Sequence, residues 1–291
     1  MNKFLENAYY NACMAEIQAL KPGNVHLFAD GHGMTVQDFI TSAAVTAPII
    51  CAANLSLGER ILQSVQATQQ AVNCNTNLGI ILLCAPLSQT LLLMPCDSHG
   101  ICLSGQSNFI DTLKKTLNET TVQDADHCFK AIALANPAGL GDSAQHNVHQ
   151  PADCTLLQAM QFGAARDLIA KQYAQTFVDV IETGVPTYTQ AIANGYNAAW
   201  STTLLYLTLL ARFDDSHVLR KNGLAIATQL RADANVHLKA FLLSDNPKLY
   251  QKKLLDWDKL LKENHINPGT CADMTVATML LVSSFTHLPL E

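Results

Sequence analysis

The chain has 291 residues, 49% of them hydrophobic and only 14% charged, with a formal net charge of −6. Against a usual charged share of about 25%, such a chain must bury much of itself, in a large core, an oligomer interface or both, and a homodimer is expected on that ground. No bulk basic field is present, which argues against nucleic acid as a partner, although local cations and helix N-termini can still hold an anionic ligand.

Helical periodicity dominates in chain order. The spacing predicts helices over 5–20, 36–55, 59–72, 76–93, 107–117, 122–135, 156–169, 173–182, 187–193, 196–213, 217–230, 232–242, 247–263 and 272–285. Thr35 with Asp38, Thr121 with Asp124, and Thr155 with Gln158 have the spacing of capping boxes, and Asn246 before Pro247 reads as an N-cap followed by proline at the first helical position. The best strand candidate, 80–83, lies inside a longer helical stretch. Residues 78–94 are strongly apolar and approach the ~20 residues of a membrane span. Pro86, Ser88, Gln89 and Thr90 interrupt them and no Lys or Arg flanks them closely, so they read as a buried helix and no membrane partner is expected. The longest irregular stretch, 136–153, carries Gly139-Leu140-Gly141-Asp142, His146, His149 and Pro151. No linker, low-complexity tract or repeat divides the chain. The expectation is one all-α, multi-helix globular domain over 1–291, with functional loops between its helices.

Nine cysteines are scattered without a Cys-x-x-Cys pair, and Met1 leads straight into Asn2-Lys3-Phe4 with no signal peptide. Reduced, mostly buried thiols and a cytoplasmic location are expected.

Polar turns interrupt this helical background. Lys21-Pro22-Gly23-Asn24-Val25-His26 ends one helix and offers a cation, an amide and an imidazole from a few residues. Asn73-Cys74-Asn75-Thr76-Asn77-Leu78-Gly79 puts Asn75, Thr76 and Asn77 at the mouth of the most apolar helix, where free N–H groups and the helix dipole favour an anion; ordinary N-capping is the competing reading. Asn267-Pro268-Gly269-Thr270-Cys271-Ala272-Asp273 is a turn followed by a helix with Asp273 expected in its first turn. Between them, 215–223 sets Asp215 upstream of Arg220 and Lys221, side chains suited to phosphate. His146 and His149 have no further ligand to complete a zinc site. Walker A, Gly-x-Gly-x-x-Gly, His-Glu-x-x-His, Gly-x-Ser-x-Gly, Asp-Asp-x-x-Asp and His-Asp motifs are all absent.

Taken in order, Lys-Pro-Gly-Asn-Val, Ser42-Ala43, Gly58-Glu59-Arg60-Ile61, Asn75-Thr76-Asn77-Leu78-Gly79, 215–223, and Asn267-Pro268-Gly269 with Ala272-Asp273 resemble the triphosphoribosyl-dephospho-CoA synthase family, from about Glu16 to the last helix. The resemblance implies an all-helical enzyme that joins the triphosphoribosyl group of ATP to 3'-dephospho-CoA and releases adenine. Where well-known members resemble Lys-Pro-Gly-Leu-Val-Asp and Asn-Thr-His-Lys-Gly, this chain has Asn24, His26, Asn77 and Leu78, which marks a shorter, divergent branch. A related ATP-using transferase with another coenzyme-type acceptor, and a non-catalytic helical binding protein, therefore stay open. The resemblance and the residue chemistry together assign Lys21, Arg220 and Lys221 to phosphate. Asn24, Asn75, Thr76 and Asn77 are assigned to substrate binding, and His26 to the ribose or the leaving base. Asp215 and Asp273 become Mg²⁺ ligands or the base, with Asp142 as a further metal ligand and Glu16 as a further carboxylate.

Overall fold

The computed structural model describes residues 2–95, 106–137, 148–244 and 246–285. Its elements are α1 (Asn2–Gln18), α2 (Val36–Ile50), α3 (Leu57–Val72), α4 (Leu78–Leu93), α5 (Gln106–Asn118), α6 (Val122–Ala135), α7 (Leu156–Gly163), α8 (Leu168–Ala174), a π-helical turn (Val180–Gly184), α9 (Val185–Ala193), α10 (Ala198–Arg212), α11 (Ser216–Asn222), α12 (Leu224–Leu242), α13 (Pro247–Glu263) and α14 (Gly269–Ser284). Among the described residues there is no sheet; two isolated bridges, His26 with Ala29 and Gly31 with Met34, pin the chain between α1 and α2.

The three expected capping boxes form, each with both reciprocal bonds, and Asn246 caps α13 through the Lys248 N–H. A fourth box, Ser56 with Glu59, opens α3. Within Gly58-Glu59-Arg60-Ile61, the Gly58 N–H donates to Asp124 at 2.8 Å, while buried Arg60 donates to the carbonyls of Ile49, Ile50 and Leu55. This stretch is a structural tie between α2, α3 and α6.

Expected helices break in places where tertiary packing overrides periodicity. The stretch 156–169 splits because Asp167 caps a new helix, accepting from the N–H groups of Ile169 and Ala170. After Ala174 the chain takes positive φ at Thr176 and Phe177, which drives the Phe177 ring into the core beside Tyr173, 5.5 Å between centroids. Gly223, at φ +88°, separates α11 from α12, whereas the expected boundary near 231 is continuous helix. Asp273 also shifts: α14 begins at Gly269, so Asp273 sits in its second turn.

Helix α14 is the central strut, packed against α1, α4, α8, α9, α10 and α11. It is buried almost all round, and α4 is in addition apolar almost all round, the pattern of helices enclosed by others. The apolar 78–94 stretch is thus the buried helix it was read as, and among the described residues no helix is long and apolar enough to cross a membrane. Cys13, Cys51, Cys84, Cys128 and Cys271 are buried free thiols.

Candidate active site

The Lys-Pro-Gly turn is held from several sides. The Gly23 N–H donates to Asp258 of α13 at 2.8 Å, and the Tyr206 hydroxyl of α10 donates to the Pro22 carbonyl at 2.8 Å. Gly23 has φ +85°, and a Cβ there would lie 2.8 Å from Pro268 Cδ, so glycine is needed for both backbone and space. The turn therefore docks on the Asn267-Pro268 turn, and Asn24 Nδ2 seals the junction by donating to Asn267 Oδ1 at 2.8 Å.

Lys21 lies at the base of this junction with no solvent exposure. Its ammonium donates to the Glu16 carboxylate, to Asn24 Oδ1 at 3.0 Å and to the Val25 carbonyl at 2.8 Å. Burial raises the Glu16 carboxyl and lowers the Lys21 amine, and the mutual attraction of the pair opposes both shifts.

The second turn forms the mouth of α4. Asn75 Oδ1 accepts from the Leu78 N–H at 3.1 Å, and Thr76 shares a 2.6 Å hydrogen bond with Ser42 of α2. Asn77 turns the other way and accepts from Thr68 of α3 at 3.0 Å. Gly79 then lets α4 press directly on Asp273. A Cβ at Gly79 would fall within 2.5 Å of Asp273 Cγ and clash with its carboxylate oxygen. Gly79→Ala is therefore expected to displace Asp273, destabilising the fold by about 1–3 kcal/mol and lowering turnover more than ATP affinity; denaturant unfolding alongside steady-state rates measures both.

Asp215 sits where α11 and α14 begin. Oδ1 accepts from the N–H groups of His217 (2.9 Å) and Val218 (3.1 Å), and Oδ2 accepts from the Cys271 N–H at 2.8 Å. Burial pushes its carboxyl up against the lowering pull of those N–H groups. Asp215 joins two helix starts and so places Asp273, two residues beyond Cys271, while its own oxygens are occupied by backbone.

These elements enclose a cavity of about 640 Å³. Asn24, Asn75, Thr76, Arg220, Lys221, Asp273 and Glu16 all line it. Lys21, His26, Asn77 and Asp215 lie behind the lining; Asp142 is outside the described residues. His26 is fully buried: it accepts the Phe28 N–H on Nδ1 at 3.2 Å, and its Nε2 is 3.3 Å from Asp258. Lys21 meets the cavity through Glu16, whereas His26 pairs with Asp258, which is off the lining, holds the Gly23 N–H and also accepts from Lys262 at 3.0 Å. Asp258 and Asp167 had no signal in the sequence. Asp258 lies mid-helix, 235 residues from the glycine it holds. Asp167 bonds Arg220 through Oδ2 while Oδ1 caps α8.

The electrostatics converge on Asp273. Burial, and then the negative charges of Glu16 and Asp215, hold its carboxyl well above the ordinary carboxylate range, with Lys21 and Arg220 pulling the other way. A carboxyl of raised proton affinity, open to a cavity, is suited to acid–base work. His217, whose ring lies against Gly269, is pushed down to about 4 by burial and by Arg220, Lys221 and His32. In nucleotide-free protein its ring resonances are expected to stay those of a neutral imidazole from pH 8 to about pH 5, and titration near 6.5 would contradict this. Between 6.5 and 4 the unfolded chain takes a proton that the folded chain refuses, so this contribution to stability falls as pH drops through that window.

No curated protein matches the chain significantly. A crystal structure from Archaeoglobus fulgidus, described provisionally as a triphosphoribosyl-dephospho-CoA synthase, superposes with a TM-score of 0.62 at 23% identity, covering 84% of this chain and 97% of that one. At that identity the likeness speaks for the all-helical fold. The family model described as ATP:dephospho-CoA triphosphoribosyl transferase matches residues 2–289, which takes in every element that builds the cavity. With turns, fold and family model in agreement over nearly its whole length, the chain belongs to the ATP:dephospho-CoA triphosphoribosyl transferase family.

Proposed function

We propose that this cavity transfers the triphosphoribosyl group of ATP to a hydroxyl of 3'-dephospho-CoA, with Asp273 at the reacting centre. The observation that carries the assignment is the Asp273 carboxyl, raised in proton affinity and facing the cavity beside Glu16. In the reaction the bond from ribose C1' to the adenine nitrogen breaks and a bond from C1' to the acceptor oxygen forms. The hydroxyl proton passes to a carboxylate and adenine departs with a proton, so the sum is proton-neutral. Positive charge develops on the ribosyl ring, as in glycoside cleavage, and two carboxyls at the cavity floor oppose it. Asp273 is the proton acceptor of this reading, because a raised carboxyl pKa brings a base closer to working pH.

Arg220 and Lys221 line the same cavity and suit the triphosphate, and the N-terminal ends of α4 and α14 add favourable dipoles. Mg²⁺ takes one or two carboxylates together with phosphate oxygens. Glu16 and Asp273 offer that donor set towards the cavity, whereas Asp215 has both oxygens engaged. With Asp273 serving as proton acceptor, Glu16 would hold the ion together with phosphate oxygens, and the ion when bound would neutralise phosphate charge.

The test is incubation with ATP, Mg²⁺ and dephospho-CoA followed by chromatography. Free adenine is expected in step with ATP consumption. Release of ADP or phosphate in place of adenine would sink this reading, and adenine release only with a different acceptor would move the assignment to a related transferase.

A further inference from the structure

The cavity has two unlike walls. Its charged and amide side chains come mostly from α1, the polar turns, α11 and α14, with Asn136 at the end of α6 and Arg166 and Asp167 just after α7. The wall built by α6 and α7 is apolar: Phe129 and Ile132 face the cavity from α6 and Met160 from α7, with Leu156 fully buried behind them. Leu82 continues this wall on α4, one turn beyond Leu78 and so further from the Gly79–Asp273 contact. The Tyr173 hydroxyl donates to the Leu82 carbonyl at 2.6 Å, which keeps that backbone group satisfied beneath an apolar surface.

Arg166 marks the junction of the two walls. Its guanidinium lies over the Phe162 ring of α7, 5.5 Å from the centroid, and its chain neighbour Asp167 is bonded to Arg220. A cation therefore stands between the charged wall and the apolar one.

We infer that the apolar α6–α7 wall seats the pantetheine arm of the acceptor, with the acceptor's diphosphate beside Arg166. This rests on the transferase reading above, in which the acceptor is dephospho-CoA. Both substrates carry an adenosine and phosphates, but only the acceptor carries an extended arm of methylenes and a geminal dimethyl group beyond its diphosphate. An apolar wall reached past a cation matches that order of groups. Adenine fits it less well, because its ring edge bears several polar atoms that would be buried against aliphatic side chains, and each unpaired one is costly. The arm's amides can point back to the open side of the cavity while its methylenes lie on the wall.

The test uses 4'-phosphopantetheine, the arm with its phosphate and without the nucleoside, titrated calorimetrically into the full chain with and without saturating ATP. Binding is expected in both conditions. Met160→Gln, which keeps the side chain's length, is expected to weaken 4'-phosphopantetheine about tenfold and to leave ATP affinity within about twofold, the latter showing that the variant is folded. No binding by the unmodified protein, displacement by ATP, or an unchanged affinity in Met160→Gln would each overturn the inference. A loss of ATP affinity in Met160→Gln with a normal unfolding profile would place adenine on this wall and overturn it as well. If 4'-phosphopantetheine behaves as expected but ATP with dephospho-CoA yields no adenine, the arm site stands and the transferase reading fails.

Discussion

Asp273→Asn is expected to abolish most adenine release and at the same time make the protein harder to unfold. The loss follows from removing the proton acceptor, an effect of about 10²–10⁴ in rate. The gain follows from linkage. The carboxyl is raised above its ordinary value by burial and by the charges of Glu16 and Asp215. At any pH between the unfolded and folded values the folded chain holds more protons than the unfolded one, so stability from this group falls as pH rises through that window. Asparagine removes the dependence, and the midpoint should rise by about 2–4 °C for each kcal/mol relieved. The gap between variant and parent should be wider at pH 8 than at pH 5. Turnover within tenfold of the parent, or a midpoint that falls, would show that Asp273 is a structural group.

The second large effect is on folding. Lys21→Met should destabilise by about 3–5 kcal/mol, because it leaves Glu16 buried without its cation. Asn24 and the Val25 carbonyl lose their donor in the same step. Adding Glu16→Gln removes the stranded charge and should recover a substantial part of the loss without restoring turnover. Denaturant unfolding of both single variants and the double variant closes the cycle. A Lys21→Met cost below about 1 kcal/mol, or no recovery in the double variant, would mean that the pair is not what holds the turn. A lysine that served phosphate directly would show the opposite pattern, weak ATP binding on an intact fold.

Much of the helical framework was legible because its determinants are local. The helices over 122–135 and 247–263 run between the expected residues, since a capping box or an Asn-Pro start lies within one turn of an apolar stripe. The breaks at Asp167 and at Thr176–Phe177 were not legible. Each depends on a partner distant in sequence or on burial of a ring, and helical periodicity runs through both.

The candidate site divides in the same way. The polar turns stand out in a low-charge chain, and with them come Asn24, Asn75, Thr76, Arg220, Lys221 and Asp273, all on the cavity lining. The sequence could not rank its two aspartates. Asp215 and Asp273 each stand near a helix start, but Asp215 spends both oxygens on the amides of α11 and α14, and Asp273 is left open to the cavity. Nor could it show that Lys21 faces Glu16 instead of solvent, or that Asp258 holds the Gly23 N–H from another helix. By itself the sequence determined the helical class, most helix starts and the segments that meet at the cavity, because those follow from periodicity, capping and turn chemistry within a few residues. Only the tertiary structure decided which polar groups face the cavity and which are consumed behind it, because burial and hydrogen-bond partnership are set by helices far apart in the chain.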